Sequence, residues 1–254
     1  MDVMTHNLAK SAAAVLAIAA AFSVTKAEAA TPNAGAVLAR ALANAAGEKS
    51  VSISGTVVSS NTTFHLSGGV SPAGTIEITS VPGLGDAYVV LPTGTSVCFV
   101  KATSLVMLRN VLEVTSPASS EFGVWYEVTK SDPRYNFIAS PGGGKTVAQM
   151  FSFSQDGFSR TATYDGATVL HGVSVIKLST LSNANVSGAG WARTTFYVTS
   201  GSHPLPFAYA GPKGTTGLLY FSQWGNTKVS IPSARAKLPR TAARRMIRGL
   251  PPIS

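Results

Sequence analysis

Cysteine is almost absent from this chain of 254 residues, which contains a single one, Cys98. One cysteine excludes a disulfide within the chain and a cysteine cluster for a metal ion. It also excludes a lipid anchor of the type attached to a cysteine directly after an N-terminal apolar run. Cys98 alternates with Phe99 in the apolar segment VCFVK. We therefore expect a small buried hydrophobic residue rather than a reactive thiol.

Hydrophobic runs long enough to span a bilayer are missing as well. The N-terminal run, residues 11–24, has only 14 residues, whereas a membrane-spanning helix needs about 20. The tripeptide Ala27-Glu28-Ala29 follows it and matches the small-x-small pattern of a signal peptidase site. This pattern predicts a cleavable signal peptide at residues 1–30 and a secreted or envelope-associated protein without a lipid anchor. An uncleaved amphipathic N-terminus is the alternative.

Patterns that carry catalysis or bind metals are scarce. Asp2 and Glu28 lie in the predicted signal, which leaves nine of the eleven acids for the rest of the chain. No histidine pair has the spacing of a metal site, and no Gly-x-Ser-x-Gly elbow supports a nucleophilic serine. Residues 139–146 (ASPGGGKT) resemble a phosphate loop, but no parallel sheet accompanies them, so we interpret them as a loop before a helix. We expect no enzyme, metal or cofactor; a secreted hydrolase with paired carboxylates is a minor alternative.

Basic residues are concentrated near the end of the chain. Residues 234–254 hold six of the twenty basic residues and no acid. One interpretation is a disordered, soluble tail. Another is docking to an anionic membrane or cell-wall surface, worth about 1 kcal/mol for each basic residue. The docking residues would be Arg240, Arg244, Arg245 and Arg248. We expect no nucleic-acid partner, because an exported chain without a stacking platform lacks the means to bind one.

Alternation of apolar and polar residues dominates the rest of the chain. Residues 33–47 have apolar residues at helical spacing, and five strands are predicted between residues 51 and 102, with a turn at residues 68–72. Helical insertions and about five further strands follow. This order predicts an α+β, mainly β, fold: a strongly curved antiparallel sheet, an unclosed half-barrel, with helices on its concave face. The domain is expected to span residues 31–233.

Several phrases carry a resemblance to a known family. They are AVLARALANAA, GVWYEVTKSDPRY, HGVSVIKLS, TTFYVTSGSHPLPFAYA and LLYFSQWGNTKVSIPSA. Across residues 33–233, pattern and order resemble the LolA/LppX-type bacterial lipid and lipoprotein carriers, and within them the actinobacterial LppX/LprG group. The lipobox cysteine of that group is missing here. The resemblance implies a monomeric, non-enzymatic carrier or binding protein for a lipid, glycolipid or other amphiphile, held in a hydrophobic cavity between sheet and helices.

The alternation also suggests which residues line that cavity, if every apolar side of a strand faces inward. We expect the following residues to line it: Ile76, Ile78, Phe99, Leu105, Met107, Leu108, Trp125, Met150, Phe151, Phe153, Val173, Val175, Phe196, Phe207 and Phe221. An ordinary filled core is the alternative for each of them. A filled concave face would favour a sensor or regulatory module of the same fold that does not transport.

Overall fold

A computed structural model of the protein describes residues 32–59, 62–110, 114, 121–139, 146–152, 159–183, 191–211, 217–233 and 236–237. Residues from Asn33 onward form one compact unit. The predicted signal peptide, Phe153 and the four tail arginines lie outside the described residues. Within these ranges, no helix has both the length and the apolar composition that crossing a membrane requires.

The strands form one open sheet. In chain order they are β1 (Val51–Ser59), β2 (Thr62–Ser71), β3 (Gly74–Val81), β4 (Gly85–Pro92), β5 (Val97–Ala102), β6 (Tyr126–Thr129), β7 (Thr163–Leu170), β8 (Val173–Asn183), β9 (Trp191–Thr199), β10 (Pro206–Ala210), β11 (Leu219–Ser222) and β12 (Ala236–Lys237). Their order in the sheet is β12-β6-β5-β4-β3-β2-β1-β11-β10-β9-β8-β7. All neighbours pair antiparallel except the two-residue β12, which is parallel to β6. The sheet is curved and unclosed, which confirms the predicted fold class.

In the described part of the chain, four helices accompany the sheet: α1 (Ala34–Gly47), α2 (Leu105–Asn110), α3 (Tyr135–Ile138) and α4 (Val147–Ser152). The Asn33 side chain caps α1 by accepting a hydrogen bond from the backbone N–H of Ala36 at 3.0 Å. Thr146 and Gln149 cap α4 reciprocally, with side chain to backbone distances of 2.9 and 3.2 Å. The long helix α1 packs on β7, β9, β10 and α4, whereas α2 packs on β4 and β5.

Strand register defines the two faces of the sheet. Antiparallel partners share a face, so the pairs Val51–Val70, Val70–Thr75 and Thr75–Leu91 lie on one side. This is the concave face, on which all the helices that contact the sheet pack. Residues one position along each strand lie on the opposite, convex face.

The segment after β11 covers part of the convex face. We call residues 223–233 together with β12 the C-terminal strap. At its start, the Thr227 backbone N–H donates to Ser50 Oγ at 2.9 Å, and the Thr227 side chain lies against the convex side of Gly69. At its end, β12 pairs with β6. Val90 of β4, on the convex face, is fully buried. The predicted domain end at residue 233 therefore falls within the strap.

One predicted turn is wrong. Residues 68–72 were expected to end a hairpin strand, but β2 continues through Gly68 and Gly69 to Ser71. The chain reverses at Pro72 and Ala73 instead. Close approach of β3 explains the glycine at position 68, because a Cβ atom there would lie 2.1 Å from the Ile76 carbonyl oxygen. The glycine serves strand packing rather than chain reversal.

Candidate functional site

The concave face carries two separate hydrophobic cores. The first lies under α1 and α4 and contains Ala34, Leu38, Ala41, Leu42, Ala45, Val51, Val70, Val147, Phe151, Leu178, Phe196, Val198 and Phe221. The second lies under α2 and α3 and contains Ala87, Leu91, Cys98, Val100, Ala102, Met107, Leu108, Val114, Tyr126, Val128 and Ile138. The strands β1 to β4 contribute Val51 and Val70 to the first core and Ala87 and Leu91 to the second. Between these residues they carry a partly exposed stretch of concave surface, along which Ile53 packs against the first core and Val89 against the second.

We call this stretch the central strip. Its members occupy concave positions of β1 to β4 and are all at least partly exposed: Ile53, Gly55, Leu66, Gly68, Glu77, Thr79 and Val89. A row of buried residues closes the strip at one end: Val51, Val70, Thr75 and Leu91. At the other end, Phe64 and Val81 are only partly buried. The strip is thus closed at one end and open at the other.

Strand geometry sets the dimensions of the central strip. Three spacings separate β1 from β4, which gives a width of about 14 Å. From the closed end at Val51 to residue 57 there are six residues of strand, which gives a length of about 20 Å. These dimensions suit an elongated molecule lying along the strands.

Two glycines leave space above the backbone of the strip. A Cβ atom at Gly55 would lie 2.1 Å from the Leu218 carbonyl oxygen, and one at Gly68 would lie 2.1 Å from that of Ile76. Both positions face the concave side, paired with Leu66 and Ile53 respectively. Since no side chain is tolerated there, space remains above the backbone where a core would hold an aliphatic side chain.

Glu77 is the charged residue of the floor. Its side chain is exposed, and its cross-strand neighbours are Gly68 and Val89. Thr79 Oγ1 donates a long hydrogen bond of 3.5 Å to Glu77 Oε1. Burial raises the pKa of the Glu77 carboxyl above its ordinary value, and the Thr79 hydrogen bond lowers it by less. A side chain that is open to water and yet surrounded by protein is expected on the floor of a concave site.

Aromatic and flexible apolar side chains flank the strip. On the β11 side, Phe151 of α4 lies edge to face with Phe221, with ring centroids 5.6 Å apart, and 5.5 Å from Trp224. Phe221 is the strand partner of Ile53, so this group borders the strip directly. On the β4 side, α2 supplies the buried Met107 and Leu108. The strip therefore lies between a helix on each side.

Seven of the predicted lining residues lie on the helix side of the sheet. They are Leu105, Met107, Leu108, Met150, Phe151, Phe196 and Phe221. Leu105 and Met150 are partly buried against the two cores and lie on the helices that flank the strip. Phe196 lies farther away in the first core, paired with Leu178 and Tyr209. Ligand contact by any of these residues stays a prediction.

The structure places seven others on the convex face, away from the helices. They are Ile76, Ile78, Phe99, Trp125, Val173, Val175 and Phe207. Ile76 is the partner of Gly69, beneath the strap, and Trp125 lies 6.2 Å from Tyr88, centroid to centroid. These apolar positions do not face the helices; beside Ile76, the strap residue Thr227 lies against the convex side of its partner Gly69. Polar Thr75, Glu77 and Thr79 consequently face the concave side.

In β8, the apolar positions change face partway along the strand. Val173 and Val175 are convex, whereas Ile176 and Leu178 are concave and pack in or against the first core. A strand covered on both faces does not keep strict alternation. Sequence reasoning also missed Glu77 and the two glycines. The segment TIEIT could have indicated Glu77, because this glutamate is the one charged residue among isoleucines and threonines.

A second concavity lies on the convex face, at the end of the strap. It has a volume of about 450 Å³ and is half open, lined by Gly123, Val124, Trp125, Pro232 and Ser233. The Lys101 ammonium lies 4.2 Å from the Tyr88 ring and 4.9 Å from the Trp125 ring. This pocket is on the other side of the sheet from the central strip.

Reactive groups are few in the described ranges. No three residues of the metal-binding types come close enough there to hold an ion. Cys98 is fully buried. Burial and, to a smaller extent, the negative charge of Asp132 raise the pKa of its thiol to about 12, which keeps it protonated.

Comparison with solved structures identifies the fold. The chain is similar to LprF from Mycobacterium bovis, with a TM-score of 0.53 and 16% identity, covering 80% of this chain and 97% of LprF. The lipoprotein LppX from Mycobacterium tuberculosis matches with a TM-score of 0.48 and 14% identity, covering 78% of this chain and 98% of LppX. No protein-family model and no curated protein sequence matches the chain. The predicted resemblance to the LolA/LppX type is confirmed at the level of the fold.

Proposed function

We propose that this protein is an exported, non-enzymatic carrier or binding protein for a lipid, glycolipid or acylated ligand, whose acyl chain lies on the central strip. The observation that carries this proposal is the strip itself, a partly exposed stretch of concave surface between two packed cores. A sheet used only as a scaffold would be expected to continue its core across β1 to β4. The fold shared with LprF supports the proposal.

Size and energy are compatible with an acyl chain. One leaflet of a bilayer holds chains about 15 Å long, half of the hydrocarbon core, and the strip is about 20 Å long. Burying about 14 methylenes at about 0.8 kcal/mol each contributes about 11 kcal/mol. Lost translational and rotational freedom opposes this by about 4 kcal/mol or more. The remainder is sufficient for micromolar binding without any catalytic or charged group.

The two flanking helices are suited to admitting such a ligand. Both α2 and α4 have six residues, so each is held mainly by its packing rather than by its own helical stability. Met150 on α4 and Leu105 on α2 are only partly buried against the cores. In the proposed mechanism these helices move apart and repack around the chain, and the thioether of Met150 adapts to its shape.

Export and surface docking are part of the same proposal. Residues 1–30 would direct the chain across the membrane, and Arg240, Arg244, Arg245 and Arg248 would hold the protein near an anionic lipid or wall polymer. Removing residues 238–254 tests the docking. We expect the truncated protein to lose binding to anionic vesicles at low salt. Equal vesicle binding by both proteins would contradict a docking role.

A titration with a fluorescently labelled monoacylglycerol tests the binding itself. We expect saturable binding with a micromolar Kd, and displacement by an unlabelled acyl lipid. The absence of saturable binding would contradict the proposal. That result would favour the alternative of a sensor module with the same fold.

A further inference from the structure

Among its paired strand positions in the described residues, the concave face has a single acidic, basic or histidine side chain. Every other charged or histidine residue paired in β1 to β11 occupies a convex position: His65, Asp86, Lys101, Glu127, Lys177 and Arg193. Glu77 alone faces the helix side, between Gly68 and Val89. An exposed carboxylate on a face that otherwise lacks charge offers acceptor oxygens to a ligand.

Within the described residues, the partner of the Glu77 carboxylate is weak. Thr79 Oγ1 lies 3.5 Å from Oε1, at the outer limit of a hydrogen bond. The ion pairs of the described residues join Arg134 to Asp132, Lys177 to Asp165 and His203 to Glu48, so none of them involves Glu77. A carboxylate offers about four acceptor sites, and Thr79 is the one hydrogen-bond donor to Glu77 among the described residues.

The location of Glu77 along the strip indicates which end of an amphiphilic ligand would lie at the closed end. Glu77 lies two residues from Thr75, which belongs to the buried row that closes the strip. Towards the open end, the concave residues are Leu66 and Phe64 on β2, and Thr79 followed by Val81 on β3. An amphiphile gains most when its chain lies on the apolar part and its polar group reaches the acceptor.

We propose that the ligand binds with its polar group inward, at the closed end, where Glu77 accepts a hydrogen bond from a hydroxyl or ammonium group. This inference rests on the proposed function and names the ligand class. The class is an amphiphile with a donor-bearing polar group, such as an acylated polyol or an amine, and not a free fatty acid. A fatty acid would bring a second carboxylate to an acceptor that lacks a cationic partner in the described residues, and like charges repel strongly in such a site.

Three probes with the same twelve-carbon chain test the inference: dodecanol, dodecylamine and laurate. Their affinities are measured at pH 7.5 by displacement of the labelled monoacylglycerol from the purified protein. We expect the alcohol and the amine to bind at least about tenfold tighter than laurate, given the repulsion between two nearby carboxylates. In Glu77→Gln, we expect laurate to gain affinity, the amine to lose it, and the gap between them to shrink about tenfold.

Asp86→Asn is the matched control, because Asp86 is a carboxylate on the convex face of the adjacent strand β4. It should leave the order of the three probes unchanged. Equal affinity for all three probes in the unmodified protein would overturn the inference but leave the proposed function standing, as would a gap that survives in Glu77→Gln. Failure of every probe and of the monoacylglycerol to bind would overturn both. The comparison on the unmodified protein holds even where a variant does not fold.

Discussion

Filling the central strip should weaken binding strongly, and position 79 lies on the strip beside Ala87 of the second core. Thr79 is partly exposed, on the concave side of β3, opposite Leu66 and Ala87. A phenyl ring is accepted in a strand, and in Thr79→Phe it would occupy the space of about three to four methylenes of the ligand chain. At about 0.8 kcal/mol for each methylene, the loss is about 3 kcal/mol, or about a hundredfold in Kd.

Ser80→Phe is the matched control for this substitution. Ser80 is the next residue, carries a similar hydroxyl, is also partly exposed and faces the convex side opposite His65 and Asp86. Titration with the labelled monoacylglycerol should show the large loss for Thr79→Phe and a change of about twofold or less for Ser80→Phe. Both variants should keep the circular dichroism spectrum of the unmodified protein. Equal affinities, or equal losses, in the two variants would refute the assignment of the binding face.

Three further predictions concern stability and reactivity. Val229→Ala in the strap should lower the free energy of unfolding, measured in urea, by about 2 kcal/mol, because it removes two carbons from a side chain that is only 7% exposed and leaves a cavity. Ile231→Ala should change that free energy by less than about 1 kcal/mol, because Ile231 is 41% exposed. Burial raises the Glu77 pKa, so the protonated carboxyl contributes stability below the ordinary pKa, and that stability is lost as the pH rises through the raised value. Glu77→Gln should therefore raise the Tm at pH 7.5, by a margin that shrinks towards pH 4. A Tm difference that does not depend on pH would contradict this. The Cys98 thiol, with its pKa raised to about 12, should resist a thiol reagent at pH 8 until the protein is unfolded in urea; rapid labelling of the folded protein would contradict its burial.

Local patterns were sufficient to predict several of the elements, but not α3 or β12. The apolar spacing of α1, with Leu38 and Leu42 one turn apart, predicts a helix that buries one side, and both residues are fully buried. The alternating segments predict β1, β3 and β5 to within about two residues. These elements follow from contacts close in the sequence, which is why the sequence alone reveals them.

Assigning residues to the two faces was beyond the sequence, because it depends on distant contacts. The strap begins with contacts between Thr227 and Ser52, which are 175 positions apart, with 2.9 Å between their hydroxyl oxygens. Once the strap covers the convex face, the apolar Ile76 and Ile78 belong to that side and Glu77 to the other. A shift of one residue exchanges the faces of a whole strand. Composition and period do not reveal which face a later segment will cover.

Photo-crosslinking locates the acyl chain directly. A monoacylglycerol with a diazirine within its chain is bound to the purified protein and irradiated, and the modified residues are identified by mass spectrometry of peptides. If the chain lies on the central strip, adducts should be found on Ile53, Leu66 and Val89. Adducts confined to the convex face, at Val90 or around the pocket beside Trp125, would contradict the account.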